Sequence, residues 1–154
     1  MKALIQRVTS AAVTVERSER RTIEKGLVVF VGITHKDVIA DAEYLADKTA
    51  GLRIFRDEFG KMNLSLRDVG GSCLVVSQFT LYGDAKKGRR PSFISAAPPE
   101  IAVPIYEHFI EVLRSREKIF VETGEFGADM LVDISNDGPV TLMLESECMS
   151  KNGN

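Results

Sequence analysis

The sequence predicts a single α+β domain, and three observations support that prediction. The chain has 154 residues, which is the length of one ordinary domain. Hydrophobic residues make up 44% of it, enough to form a core. Several apolar runs of strand length are interrupted by only two segments with helical periodicity. We therefore expect one domain over residues 1–154, with many strands, two main helices and a polar tail from about residue 146.

The first half of the chain predicts strands around one helix. Residues 4–8 and 12–16 are rich in β-branched side chains and partly alternate, as half-buried strands do. Residues 26–33 are continuously apolar, which is typical of a strand buried on both faces. Asp37 is the predicted N-cap of a helix. Beyond it, side chains suited to one buried face recur at helical spacing: Val38, Ala42, Leu45, Ala46, Thr49 and Leu52.

The rest of the chain predicts more strands and a second helix. That helix begins at Pro98 and Pro99, because proline suits the first helical turn. Its apolar stripe consists of Ile101, Ile105, Phe109, Val112 and Leu113. Strands are predicted at residues 53–56, 72–77, 119–121, 130–134 and 140–144. Residues 136–139 join the last two strands, and the plain interpretation of Gly138-Pro139 is a hairpin turn with a trans peptide bond.

Charge gives little indication of a nucleic-acid partner, except in one segment. The net charge is -2 and the pI is about 5.8, whereas nucleic-acid-binding domains are usually basic. Lys86, Lys87, Arg89 and Arg90 form a dense basic cluster inside a long polar loop, residues 83–99. A charge run is ordinarily a solvated loop, but long loops in compact domains are often functional. This cluster could hold the phosphates of an RNA.

The two cysteines do not suggest a disulfide framework. Cys73 lies in an apolar run and Cys148 in the polar tail. The first residues lack the apolar core of a signal peptide, and no stretch approaches the roughly 20 apolar residues of a membrane span. These features predict a soluble cytoplasmic protein.

Several kinds of chemistry are disfavoured by what the sequence lacks. Histidine occurs only at His35 and His108, so a general base is scarce. No cysteine and histidine cluster has zinc-ligand spacing, and no phosphate loop or dinucleotide fingerprint is present. We therefore expect no metal and no cofactor.

Residues 77–80 are the first candidate site. Ser77, Gln78, Phe79 and Thr80 follow a buried strand, where their polar groups could simply satisfy the strand's own end. Alternatively, the hydroxyl groups and the backbone N–H groups could stabilise an oxyanion during acyl transfer. Thr80 without an adjacent base is a poor nucleophile, so a covalent intermediate on it is not expected.

Four segments together resemble the signature segments of the D-aminoacyl-tRNA deacylases. They are residues 77–84, 87–93, 123–130 and 136–141, so that the resemblance covers nearly the whole chain. It implies a layered β/β/α fold with a barrel-like β core. It also implies a homodimer whose active sites lie near the subunit interface. The implied substrate is aminoacylated tRNA, bound by its 3′ end, and the products are free D-amino acid and tRNA.

The resemblance also assigns roles to residues. Ser77, Gln78, Phe79 and Thr80 would form the catalytic segment, and the 2′-hydroxyl of the tRNA would assist the chemistry. A cis Gly138-Pro139 motif from one subunit would exclude L-amino acids from the other subunit's site, while glycine would leak through. Further residues implied to contact or brace the substrate site are Val140, Thr141, Arg7, Phe126 and Met130. The basic cluster, Lys86, Lys87, Arg89 and Arg90, would bind tRNA.

Two other functions stay open at this point. One is a non-catalytic RNA-binding module that uses the basic loop and nearby aromatic side chains. The other is a serine or threonine hydrolase acting on a small ester, which needs His35 or His108 beside Ser77 or Thr80.

Overall fold

A strongly bent sheet dominates the computed structural model, which describes residues 1–17 and 19–146. Two main helices, α1 (Ile39–Gly51) and α3 (Pro99–Glu111), accompany the sheet, as predicted, and a short helix, α2 (Leu66–Val69), is added. Helix α3 continues into a π-helical turn, Val112–Arg116. The strands are β1 (Lys2–Val15), β2 (Glu19–Ile23), β3 (Gly26–Gly32), β4 (Phe55–Arg56), β5 (Met62–Leu64), β6 (Ser72–Ser77), β7 (Phe120–Thr123) and β8 (Met130–Glu145).

Strand β1 organises the sheet because it pairs along its whole length. On one side its residues 2–8 pair with β3 and its residues 11–15 pair with β2, both antiparallel. On the other side it pairs antiparallel with β8. Strands β3, β6 and β7 are parallel neighbours. The order β2-β1-β3-β6-β7, with β8 attached to β1, forms a nearly closed, barrel-like sheet.

Two apolar clusters give the molecule its layers. Side chains alternate along β3, so that Leu27 and Val29 pack against the helices while Val28 packs on the opposite face of the sheet. The first cluster joins this sheet face to α1 and α3. The second fills the space between β3 and β6 and the far parts of β1 and β8. Burial on both faces confirms the prediction made from the continuous apolar run at residues 26–33.

Three local predictions were wrong. Asp37 does not cap α1, because its carboxylate accepts from the Met1 α-amino group (2.6 Å) and from the Thr34 N–H (2.7 Å). The N-cap is Val38, whose N–H donates to Asp41. The two strands predicted at the start are one strand, β1. No hairpin separates residues 130–134 from 140–144, because both segments belong to β8 and pair with β1.

The remaining features concern cysteines, the tail and the membrane. Cys73 is a free, fully buried thiol, and burial raises its pKa to about 12. Cys148 and the predicted polar tail beyond Ser146 lie outside the described residues. Within residues 1–17 and 19–146, no helix has the length and apolarity needed to cross a membrane.

Candidate active site

The predicted catalytic segment begins where β6 ends. The N–H of Gln78 donates to the carbonyl of Val31 (2.7 Å), which extends the contact with β3 by one residue. The chain then turns into a short 3₁₀ helix, Phe79–Tyr82. The side-chain amide of Gln78 donates to Thr80 Oγ1 (2.5 Å). Burial ends with β6, and Ser77, Gln78, Phe79 and Thr80 are all at least partly accessible.

A cavity of about 350 Å³ opens beside this segment. One side is formed by Ser77, Gln78 and Phe79. The facing wall is formed by residues 126–130, including Phe126 and Met130. The fold thus brings together five of the predicted site residues, although Thr80 lies outside the lining. A larger groove of about 710 Å³, between α3 and residues 123–126, shares only Phe126 with the lining of this cavity.

The cavity has few groups that titrate. Among the described residues that line it, Asp129 is the one ionisable side chain. His35 Nε2 lies 2.9 Å from the Ile94 carbonyl, and His108 Nε2 lies 3.1 Å from Glu43 Oε1. Neither histidine lines the cavity, so the hydrolase with a histidine base beside Ser77 has no support from this geometry. Binding and orientation by polar backbone and side-chain groups are what the cavity can supply.

Residues 137–140 leave the sheet, and we call them the excursion. Gln6 pairs with Thr141 and Val8 pairs with Asn136, so that Arg7 alone faces four residues of β8. Gly138 has a φ of +114°, in the region that favours glycine. The Gly138-Pro139 peptide bond is cis, so the trans bond expected from the dipeptide alone was wrong.

Arg7 lies beneath the excursion and is only 2% exposed. Its Nη1 donates to the Ile54 carbonyl (2.6 Å). Its Nε lies 3.0 Å from Asp137 Oδ2 without the alignment of a hydrogen bond, so the contact is an ion pair. A Cβ on Gly138 would approach Arg7 Nη2 to 2.8 Å. Arg7 is therefore a buried arginine and not a solvated strand residue.

Asn136 closes the base of the excursion, and it was not among the predicted site residues. Its Nδ2 donates to the carbonyls of Arg7 (2.9 Å) and Val140 (3.1 Å), and its Oδ1 accepts from Thr141 Oγ1 (3.3 Å). Gln6 Nε2 donates in turn to Thr141 Oγ1 (3.2 Å). The signal was present, because asparagine side chains commonly bond to nearby backbone where a chain turns.

The predicted substrate residues therefore form two groups in one chain. Phe126 and Met130 line the cavity, whereas Arg7 and residues 138–141 are absent from its lining and form the excursion and its support. The first group lines a concave surface, and the second lies near the middle of β8, where residues 137–140 leave the sheet above Arg7.

The basic loop is attached directly to the catalytic segment. Asp84 and Ser92 exchange two backbone hydrogen bonds (2.8 Å each), which close the base of the loop. Beyond them, the ring of Phe93 meets that of Phe79 edge to face, with 5.2 Å between centroids. The four basic residues selected from the sequence, Lys86, Lys87, Arg89 and Arg90, are all exposed.

No donor set for a metal ion is apparent in the part of the chain that the structure describes. Residues 1–17 and 19–146 contain no group of three or more His, Cys, Asp or Glu side chains that could hold one.

Comparisons with known proteins show the family of this chain. The model of the D-Tyr-tRNA(Tyr) deacylase family matches residues 4–145. The chain belongs to this family. A D-aminoacyl-tRNA deacylase of Geobacillus sp. (strain WCH70) is 57% identical over 147 residues, 96% of each chain. One of Thermus aquaticus is 58% identical over 146 residues, 95% of each chain.

Two solved structures share the fold of this family member. The c-Myc DNA Unwinding Element Binding Protein superposes with a TM-score of 0.87 at 44% identity, covering 96% of this chain and 99% of that one. A probable eukaryotic D-amino acid tRNA deacylase superposes with a TM-score of 0.84 at 15% identity, covering 94% and 98%. The second likeness concerns the fold alone. Together they place the α+β, barrel-like architecture on a known scaffold.

Proposed function

We propose that this chain is a D-aminoacyl-tRNA deacylase: a hydrolase that cleaves the ester between a D-amino acid and the 3′ end of tRNA. The products are the free D-amino acid and the tRNA. The observation that carries the proposal is that two of its four signature segments meet around one cavity, residues 77–79 on one side and 126–130 on the other. Relatives at 57% and 58% identity over nearly the whole chain bear that name.

The proposed chemistry relies on orientation more than on an ionisable side chain. The ester carbonyl would lie beside Ser77, Gln78 and Phe79, whose polar groups would stabilise the developing oxyanion, with Thr80 holding the Gln78 amide. The 2′-hydroxyl of the terminal ribose would assist attack on the ester. Good positioning alone can supply roughly 7–11 kcal/mol of the barrier, which suits a cavity poor in titratable groups.

Selection against L-amino acids is proposed to occur between two subunits. Residues 138–141 of one chain would enter the cavity of the other, where the Gly138 carbonyl would crowd the α-carbon and clash with an L side chain. Glycine has no side chain to clash, so glycyl-tRNA would be cleaved to some degree. Support comes from β8, whose backbone pairs only with β1 among the described strands and which exposes Leu131 and Met143. An exposed apolar strand of this kind is commonly covered by a partner.

The basic loop is proposed to hold the acceptor end of the tRNA. Its contacts would be to phosphates, which position a nucleic acid without reading its sequence. The edge-to-face contact of Phe93 with Phe79 ties the loop to the catalytic segment, so that bound tRNA would present its 3′ end to the cavity. Because charged tRNA is the substrate, we place the reaction in the cytoplasm.

The first test compares D-tyrosyl-tRNA with L-tyrosyl-tRNA as substrates of the purified protein in the presence of a chelator. Rapid loss of the D ester alone is the expected result. Cleavage of both esters would contradict the role given to Gly138. Cleavage of neither, with tRNA still bound, would leave an RNA-binding module and overturn the proposed activity.

A second substrate tests the chemistry itself. D-tyrosyl-tRNA ending in 2′-deoxyadenosine, charged on its 3′-hydroxyl, should bind normally and be cleaved much more slowly. Full activity on it would contradict assistance by the 2′-hydroxyl, while leaving the substrate class intact.

A further inference from the structure

The side chain of Arg21 bridges the seam of the nearly closed sheet. Strands β2 and β7 stand at opposite ends of the strand order, and no backbone ladder joins them in the described residues. Arg21, on β2, spans the gap: its Nη1 donates to the carbonyls of Thr123 (2.7 Å) and Gly124 (3.3 Å). Its Nε donates to Glu19 Oε1 (2.8 Å), and this bond lowers the pKa of Glu19.

The two carbonyls belong to the segment that leads into the cavity wall. Thr123 is the last residue of β7, and Gly124 starts the connection that carries Phe126. The N–H of Gly124 donates to the carbonyl of Val75 (3.1 Å), two residues before Ser77. Tyr106 Oη donates to the same carbonyl (3.1 Å). Gly124 thus links the segment that leads into the cavity wall to β6, the strand that ends at the catalytic segment.

Both wall side chains depend on where Gly124 lies. A Cβ built on Gly124 would come within 2.3 Å of the sulfur of Met130, so Met130 packs directly on the glycine backbone. The ring of Phe126, two residues further on, lies 6.0 Å from the ring of Tyr106. A shift of Gly124 would therefore move Met130 directly, and it would move the start of the connection that carries Phe126.

We propose that Arg21 is a positioning residue for the cavity wall formed by Phe126 and Met130. This inference rests on the proposed function, because it assigns Arg21 a part in that same site. Arg21 does not line the cavity, so it acts through the Thr123 and Gly124 carbonyls. A guanidinium has the donors to bridge two carbonyls while it also pairs with a carboxylate, and a lysine ammonium at the end of a flexible chain does not fix that geometry.

The test compares Arg21→Lys with a matched control, Arg20→Lys. Arg20 is the next residue of the same strand, but its Nη1 contacts Asp133 (2.6 Å) and Thr14 (3.2 Å) and nothing in the wall. With D-tyrosyl-tRNA we expect Arg21→Lys to lower kcat about fivefold and leave KM within about twofold, because a displaced wall misorients substrate that still binds. Arg20→Lys should leave both constants unchanged.

Hydrogen exchange at the Gly124 amide supplies a readout that does not need activity. Arg21→Lys should speed exchange at that amide by about tenfold, while Arg20→Lys leaves it unchanged. Equal exchange in both variants, or equal losses of kcat in both, would overturn the role of Arg21. If the unmodified protein does not cleave D-tyrosyl-tRNA, the proposed function fails, and the exchange measurement still decides whether Arg21 holds the wall.

Discussion

The cavity and the excursion differ in shape and in what each can do to a ligand. The cavity is a depression where a buried strand ends beside the loop that follows β7, and its lining combines apolar side chains with Ser77, Gln78 and Asp129. The excursion is a short segment pushed out of a strand and held by an almost fully buried arginine and an asparagine. A cavity can bind, whereas a protruding, rigidly held backbone can exclude. Under the proposed function, catalysis and stereochemical selection belong to these two separate surfaces, which would meet when two chains associate.

Gly138→Ala should have the largest effect of the changes considered, because it disturbs the backbone of the excursion directly. The new Cβ would lie 2.8 Å from Arg7 Nη2 and 3.0 Å from Val140 Cγ2, at a φ of +114° that L residues avoid. We expect kcat/KM for D-tyrosyl-tRNA to fall about 100-fold, because a displacement of about 1 Å can cost that much. The control is Gly60→Ala, since Gly60 also has a positive φ but no atom near its added Cβ. A comparable loss in Gly60→Ala would show that strain at any positive-φ glycine lowers activity, and it would contradict a specific role of the excursion.

Mixed dimers would show whether the excursion acts on the partner's cavity. Equal amounts of Gly138→Ala and a cavity variant, Phe126→Ala, are unfolded together and refolded. If the excursion acts in trans, random pairing leaves one intact site in half of the dimers, and about a quarter of the original activity returns. If it acts within its own chain, the mixture stays as inactive as either variant alone. Sedimentation of the unmodified protein as a monomer would contradict the shared site outright.

Asn136→Asp would remove the hydrogen-bond donor at the base of the excursion while keeping nearly the same side-chain shape. The carboxylate cannot donate to the carbonyls of Arg7 and Val140, which then face a negative charge. We expect a loss of about 1–3 kcal/mol in the free energy of unfolding, measured by urea titration. Cleavage of L-tyrosyl-tRNA should rise relative to the D ester. Asn63→Asp is the control, because the hydrogen bonds of Asn63 within the described residues are ones that it accepts from Arg53. An unchanged ratio of D-ester to L-ester cleavage in Asn136→Asp would contradict a role of the excursion in discriminating between the two esters.

Removing charge from the basic loop should affect binding but not chemistry. Replacing Lys87, Arg89 and Arg90 with Ala should raise KM for tRNA and leave kcat nearly unchanged. The slope of log K against log salt should flatten by about 0.7–0.9 for each phosphate that the loop no longer neutralises. A triple variant at Lys48, Lys61 and Lys118 removes the same charge elsewhere. If both triple variants weaken binding equally, overall charge and not the loop attracts tRNA.

Thr80→Ala should have the smallest effect. Thr80 accepts from the Gln78 amide and does not line the cavity, so its loss would loosen Gln78 without removing a reacting group. We expect kcat to fall by about threefold, within the range that one hydrogen bond supplies. Complete loss of activity, measured in single-turnover reactions, would instead identify Thr80 as a nucleophile. Thr22→Ala, on the exposed part of β2, is a suitable control.

Local patterns were enough to predict much of the architecture. The apolar run at residues 26–33 and the helical stripes identified β3, α1 and α3, because burial on one or two faces leaves a period in the sequence. The same reasoning failed at Asp37, whose carboxylate is engaged by the Met1 α-amino group, 36 positions earlier. It failed again at residues 136–139, where turn residues produced a bulge within one strand instead of a hairpin. Turn propensity is local, while the pairing partner of each half of β8 is not.

By itself, the sequence determined the α+β class, the end of the buried strand at Ser77 and, through the resemblance of four segments, the family. Only the tertiary structure decided which of those residues share a cavity and that Arg7 is buried beneath the excursion. It also decided that Asn136 bonds the carbonyl of Arg7, and that Arg21 bonds the carbonyls of Thr123 and Gly124. The physical reason is that backbone periodicity is recorded within a few residues, whereas a side chain that bonds a distant carbonyl leaves no periodic trace.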